Sequence, residues 1–208
     1  RHTDPSFQVA SPAETLRPLG SEPFGRLQGV ASLQLDTRNS SYYPRHGVRM
    51  EVAGRIAPPI WDVSEAYGRV DATAATYLPL PVPLQPILAL RGGGARVWGD
   101  APFYEAAFLG GSNSLRGHQR ERFAGDAMVF GNAELRLPVA EVNLILRGDL
   151  GISALADIGR VYVNGESPGG WHDAQGASLW FATPVISTSL TYAYGEDHRV
   201  LFEFGFPF

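Results

Sequence analysis

The feature that most limits how this chain can fold is a period of two, repeated in nine short segments. Alternation of that kind puts successive side chains on opposite faces of an extended strand, whereas a helix face recurs every three to four residues. In the first segment Leu27, Gly29, Ala31, Leu33 and Leu35 share a face, with Gln28, Ser32, Gln34 and Asp36 mostly on the other. In the second, Val48, Met50 and Val52 oppose Arg49, Glu51 and Arg55; in the third, Val70, Ala72, Ala74, Thr76 and Leu78 oppose Arg69, Asp71 and Thr73. The fourth, Ile87 to Trp98, is less regular. Arg91 and Arg96 have opposite parity, and the Gly92-Gly93-Gly94 run between them predicts a bulge that resets it.

Five further segments follow. From Met128 to Leu137, the residues Val129, Gly131, Ala133, Leu135 and Leu137 oppose Asn132, Glu134 and Arg136. Val139 to Gly148 is apolar and is expected to run along a membrane rim before the next crossing. Ile152 to Val163 sets Ala154, Ala156 and Ile158 against Ser153, Leu155 and Asp157. Gln175 to Phe181 directs Ala177, Leu179 and Phe181 outward. Val185 to Tyr194 sets Ile186, Leu190, Tyr192 and Tyr194 against Ser187, Ser189 and Thr191. The last, Val200 to Phe208, places Val200, Phe202, Phe204, Phe206 and Phe208 on one face.

Helix is nearly excluded. One start signal occurs, Ser11-Pro12-Ala13-Glu14, with Gly20 as its stop, so residues 1–23 read as a lead-in with a short helix and residues 24–208 as strands. The chain has no cysteine, hence no disulfide framework and no thiolate metal site. A net charge of −4 argues against a nucleic-acid partner, which calls for a basic footprint. No apolar run approaches the roughly 20 residues of a transmembrane helix, but a transmembrane strand needs only about 9–11 and alternates as these do.

Apolar stripes on every segment fit two architectures. Facing a shared core they make a soluble β-sandwich; facing lipid they make a transmembrane β-barrel whose polar stripes line the lumen. Charges crowd the polar faces and nearly vanish from the apolar ones, and Tyr67, Trp98, Tyr162, Trp171 and Tyr194 at strand ends suit an interfacial girdle. The pattern favours the barrel and leaves the sandwich open.

Between the fourth and fifth segments lies a long irregular loop, residues 99–126. It contains Pro102-Phe103-Tyr104-Glu105 and Gly110-Gly111-Ser112-Asn113-Ser114-Leu115-Arg116-Gly117. Together with Leu35-Asp36-Thr37-Arg38 and Tyr43-Pro44-Arg45-His46-Gly47, Ala133-Glu134-Leu135-Arg136-Leu137-Pro138, Ala156-Asp157-Ile158-Gly159-Arg160-Val161 and the aromatic end at Phe208, the chain resembles the outer-membrane surface-antigen superfamily. That group contains the BamA and TamA assembly factors and the FhaC-type secretion pores. The resemblance runs from about Arg26 onward, and the motifs keep the family's order. Leu115 and His118 stand where the family often has a valine and an aromatic residue, which leaves the contacts around His118 undefined.

The resemblance implies an all-β fold, an antiparallel transmembrane β-barrel in the bacterial outer membrane. About 8–10 strands fall in this chain, as the C-terminal part of a family barrel that normally has 16. Further strands would come from an upstream region or a second copy, since an open sheet in lipid leaves edge groups unpaired; a reduced barrel closed from this part alone is the alternative. It implies a loop folded into the barrel, with Gly110, Gly111, Leu115 and Gly117 shaping its tip and Arg116 meeting Glu134 and Asp157. It also implies that Phe204, Phe206 and Phe208 carry an assembly signal. The function implied is insertion of polypeptides into the outer membrane or their movement across it, without enzyme chemistry or cofactor. Partners would be outer-membrane lipid and lipopolysaccharide, client polypeptides and periplasmic assembly factors. A barrel anchoring an N-terminal patatin-like or phosphoesterase domain is the alternative within the family, and the soluble sandwich module the alternative outside it.

No other chemistry fits. An arginine beside Glu134 and Asp157 depresses carboxyl pKa values, the wrong direction for a general acid. His118, His172 and His198 match no metal-ligand spacing, Ser112 and Ser114 lack a nucleophile elbow, and the glycine runs lead into no helix that could cradle phosphate.

Overall fold

A computed structural model of the chain describes residues 25–143, 147–206 and 208; the predicted lead-in and its short helix lie outside these residues. The strands are β1 (Gly29–Asp36), β2 (Gly47–Ala57), β3 (Tyr67–Pro79), β4 (Ile87–Trp98), β5 (Ala107–Leu109), β6 (Phe123–Gly125), β7 (Ala127–Asn143), β8 (Arg147–Tyr162), β9 (His172–Ala182), β10 (Ser187–Tyr194) and β11 (His198–Phe204). Nine of them form one antiparallel sheet in the order β1-β2-β3-β4-β7-β8-β9-β10-β11, while β5 and β6 pair with each other inside the long loop. Those two strands have three residues each, too few for alternation to reveal. One end of the sheet, the loop end, carries the connections 58–66, 99–126, 163–171 and 195–197. The other, the turn end, carries 37–46, 80–86 and 183–186 and the last β7–β8 pair, Asn143↔Arg147.

The sheet is strongly curved. Ala75 and Tyr77 of β3 and Ile87 and Ala89 of β4 share one cluster with Trp180 and Ala182 of β9, together with Tyr43 and Phe208. β3 and β9 stand four places apart in the ladder. Their inward side chains meet only if the polar face is concave, as twisted sheets that roll up require. The opposite, apolar face carries no second layer among the described residues. Leu33 is 79% exposed, Val200 69% and Phe204 75%. A sandwich would bury those side chains, so the two-sheet alternative is excluded by geometry.

Four expectations need correction. β4 keeps unbroken register with both β3 and β7, so Gly92 to Gly94 make no bulge; Arg91 points into the concavity and Arg96 out of it. The ring of Phe130 instead occupies the space over Gly93, where a Cβ would sit 2.8 Å from it. Residues 139–143 and 147–148 do not run along a rim. β7 and β8 pair as far as Asn143↔Arg147, with the irregularity between Pro138 and Ala140, where proline withholds a donor from the ladder. Tyr67 is no girdle residue: it is buried on the concave side with Ala57 and Val63, and its hydroxyl accepts a hydrogen bond from Arg26.

The fourth correction concerns the aromatic end. Phe204 is exposed on the outer face, but Phe206 and Phe208 turn into the concavity. Gly205 adopts φ 88°, a left-handed conformation that a strand cannot continue through, and its N–H donates to the Ser187 carbonyl at 2.7 Å. One residue thereby inverts the parity of everything after it.

Candidate functional site

The long loop packs on the concave face, and its own apolar residues seat it. Leu109 and Leu115 are fully buried against Phe130 of β7 and Val161 of β8. Between them the chain makes a tight double turn. Ser114 N–H donates to the Gly111 carbonyl at 3.1 Å, His118 N–H to the Leu115 carbonyl at 3.1 Å, and Gly111 N–H to the His118 carbonyl at 3.2 Å. The Ser114 hydroxyl accepts from Gly110 N–H at 2.9 Å. With Leu115 anchored and Gly117 beside it, Arg116 can only face β7 and β8.

There it meets both carboxylates that the motifs single out. Nε donates to Asp157 Oδ2 at 2.9 Å and Nη2 to Asp157 Oδ1 at 2.7 Å, a two-pronged pairing; the Arg116 backbone N–H adds a bond to Oδ2 at 3.0 Å. Nη1 donates to Glu134 Oε2 at 2.7 Å. Asn132 Nδ2 bridges Asp157 Oδ1, at 2.8 Å, and the Ser114 carbonyl, at 2.7 Å. All three charged groups are nearly inaccessible to solvent. The network continues: Arg136 Nε donates to Glu134 Oε1 at 3.0 Å, Nη2 donates to the Phe208 carbonyl at 3.2 Å, and its guanidinium lies 3.9 Å from the Phe206 ring centroid. The residues Gly110, Gly111, Leu115, Arg116, Gly117, Glu134 and Asp157 therefore come together. Phe208 joins them through Arg136, and Phe204 stands apart on the outer face.

Two further anchors escape a reading of the sequence. Glu105, buried at the base of the loop, accepts from Arg26 and Arg55, while Arg69 Nη1 donates to the carbonyls of Glu105 at 3.0 Å and Ala106 at 2.8 Å. A lone acid in the apolar stretch Pro102 to Leu109 was the available signal, but its three arginines come from separate elements. The second anchor ties the loop tip to the β10–β11 hairpin. A Cβ on Gly117 would fall 2.5 Å from the Gly195 nitrogen, so only glycine allows this approach. Asp197 N–H donates to the Gly117 carbonyl at 3.3 Å, and Arg122 makes a two-pronged contact with Glu196 at 2.8 and 2.6 Å. His118 packs under the hairpin with its ring centroid 6.1 Å from that of His172, and its Nδ1 is buried without a hydrogen-bond partner. Burial first, then the neighbouring His172, pushes the His118 pKa down from its usual value against the opposing pull of Glu196 and Asp173.

At the turn end the concavity is filled by rings. Tyr43 and Trp180 have centroids 5.1 Å apart, Tyr43 and Phe206 5.8 Å, and Trp180 and Phe206 5.7 Å. Among the described residues no group of three or more His, Asp or Glu is placed to hold a metal ion.

Comparison with known proteins bears on this arrangement. The sequence model of the Omp85 superfamily domain matches residues 4–207. No match was found among curated protein sequences. Among solved structures, BamA from Haemophilus ducreyi lacking POTRA domains 1–3 superposes with a TM-score of 0.68 at 20% identity, over 85% of this chain and 41% of that one. The chain thus spans less than half the length of that relative, and the likeness is one of fold.

Proposed function

Because the chain belongs to the Omp85 superfamily, and with it to the assembly and translocation proteins of the outer membrane, we propose that it acts on polypeptides through the edges of its sheet and not through an open lumen. The observation that carries this reading is the contrast between edge and interior. β1 and β11 are the two ends of the ladder, and every residue of β1 is exposed. A strand edge is a row of unpaired N–H and C=O groups, and in a membrane each unsatisfied group is costly, so an incoming strand gains main-chain hydrogen bonds by pairing there. The interior is occupied: the loop sits on β7 and β8 with Arg116 fastened to Glu134 and Asp157, and the aromatic group around Trp180 and Phe206 blocks the turn end.

On this reading Arg116 holds the loop as a rigid inner support, and no covalent step occurs. Client strands, outer-membrane lipid and lipopolysaccharide are the partners, and the client pairs with an edge strand at the seam that strands from an upstream region or a second copy leave unclosed. Conductance across a planar lipid bilayer tests the filled interior. The expected result is a small current for the unaltered chain and a larger one for Trp180→Ala combined with Phe206→Ala. A large steady current from the unaltered chain would contradict it and favour passage through the lumen.

A further inference from the structure

A cavity of about 890 Å³ lies between the inner loop and the walls formed by β2, β3, β4 and β11. Its volume is near the upper end of ordinary ligand pockets, far more than a bare ion needs. Its charge is one-sided. Five arginines border it, Arg55, Arg69, Arg91, Arg120 and Arg199, against the acids Asp71 and Glu121. The chain as a whole carries −4, so this concentration of positive charge opposes the overall balance.

Four of these arginines, Arg55, Arg69, Arg91 and Arg120, are engaged in structure. Arg55 and Arg69 bond Asp71 at 3.1 and 2.6 Å and hold the loop base through Glu105. Arg120 pairs with Glu121 in an exposed contact at 3.3 Å. Arg91 of β4 and Arg199 of β11 both border the cavity. Arg91 lies over the Phe130 ring, 4.9 Å from its centroid. The Nε of Arg199 is buried with no hydrogen-bond partner. A buried guanidinium N–H without an acceptor is a cost that native structures seldom carry, and an acceptor arriving with a ligand removes it. Guanidinium groups match the geometry of phosphate and carboxylate, and every basic residue in this sequence is arginine. The inner loop adds neutral hydrogen-bonding side chains at Ser112 and Asn113. The rest of the border mixes the polar Thr73, Tyr104 and Ser114 with an apolar surface of Phe108, Met128, Phe130 and Leu201. A free ion would leave that apolar surface facing water.

We propose that this cavity binds an amphipathic oxyanion, its charged head held between Arg199 and Arg91 and its apolar part on Phe108, Phe130 and Leu201. A phosphorylated lipid is the chemical class that fits an apolar body joined to a phosphate, and it is the occupant to which the assignment commits.

The test is isothermal titration of the detergent-solubilised chain with dihexanoyl phosphatidic acid, dihexanoyl phosphatidylcholine, inorganic phosphate and an acidic heptapeptide. Phosphatidic acid should bind about tenfold or more tightly than phosphatidylcholine, and Arg199→Gln should lose about tenfold, the worth of one hydrogen bond to a charged group. Arg199→Lys, which keeps the charge, should fall between the two, and added salt should weaken phosphatidic acid binding alone. Both variants are compared at equal circular-dichroism sheet signal; should Arg199→Gln lose that signal, Arg91→Gln replaces it, with the same loss expected. Equal binding of the two lipids, or unchanged binding in folded Gln variants, would overturn the assignment. Inorganic phosphate binding as tightly as phosphatidic acid would overturn the amphipathic part, leaving a simple anion site. An acidic peptide that displaces the lipid at lower concentration would assign the cavity to polypeptide instead.

Discussion

Arg116 is the residue on which the placement of the loop depends, and its energetics follow from burial. Removing one partner from a buried charge pair leaves the other uncompensated, at a cost of about 3–5 kcal/mol. Arg116→Ala should approach the lower end of that range, because Arg136 still bonds Glu134 and only Asp157 loses its main partner. Arg116→Lys should recover little of it, since an ammonium cannot reproduce the two-pronged contact to Asp157 while reaching Glu134. Urea unfolding in detergent micelles checks both; equal midpoints for the Ala variant and the native chain would show the pair to be energetically idle. The sequence motifs already put the three charges together, because Glu134 and Asp157 fall on one stripe of adjacent strands. Glu105 and Arg136 were legible as a loop residue and an inward residue but not as partners. Their contacts join residues from distant parts of the chain, which no local period encodes.

At the scale of elements, the contact between the loop tip and the β10–β11 hairpin responds to pH. Burial and then His172 hold the His118 pKa below its usual value in the folded chain, whereas the exposed, unlatched form takes up a proton near about 6.5. Protonation therefore favours the released form. The contact contributes fully above about pH 6.5 and weakens as pH falls below it. The groups facing His118 are His172, Asp173, Glu196 and Arg122, and the two acids moderate the effect without reversing it. Hydrogen exchange of the amides at 195–197, corrected for intrinsic rate, should quicken between pH 7.5 and 5.5, and His118→Gln should remove most of that dependence. An unchanged pH response in the variant would assign the effect elsewhere. The same hairpin shows how far alternation reads. It placed β10 and β11 through Phe204, because one buried and one exposed face enforce a period of two. It misplaced Phe206 and Phe208, because a single left-handed glycine leaves the apolar alternation intact in sequence while reversing it in space.

Over the described residues the division of labour is between an obstructed concave face and the two edge strands, β1 and β11. Strand parity and the position of the inner loop were legible from period and motif, since each depends on neighbours close in sequence or on a repeated pattern. The ring cluster of Tyr43, Trp180 and Phe206 was not, because it forms only when the sheet curves and brings β9 toward β3. That curvature is also what makes the proposed function readable. With the inner loop and the ring cluster obstructing the concave face, the edges are the surfaces on which another strand can add. The chain contains no cysteine, so introduced ones report without background. The most direct measurement is therefore disulfide trapping of a client strand carrying one cysteine, against Ser32→Cys on the β1 edge, Thr188→Cys in the interior of the ladder on β10, and Thr73→Cys on the concave wall. Trapping at Ser32 in a regular register, with little at the other two positions, is the result predicted. Trapping chiefly at Thr73 would place the client in the lumen and contradict the account.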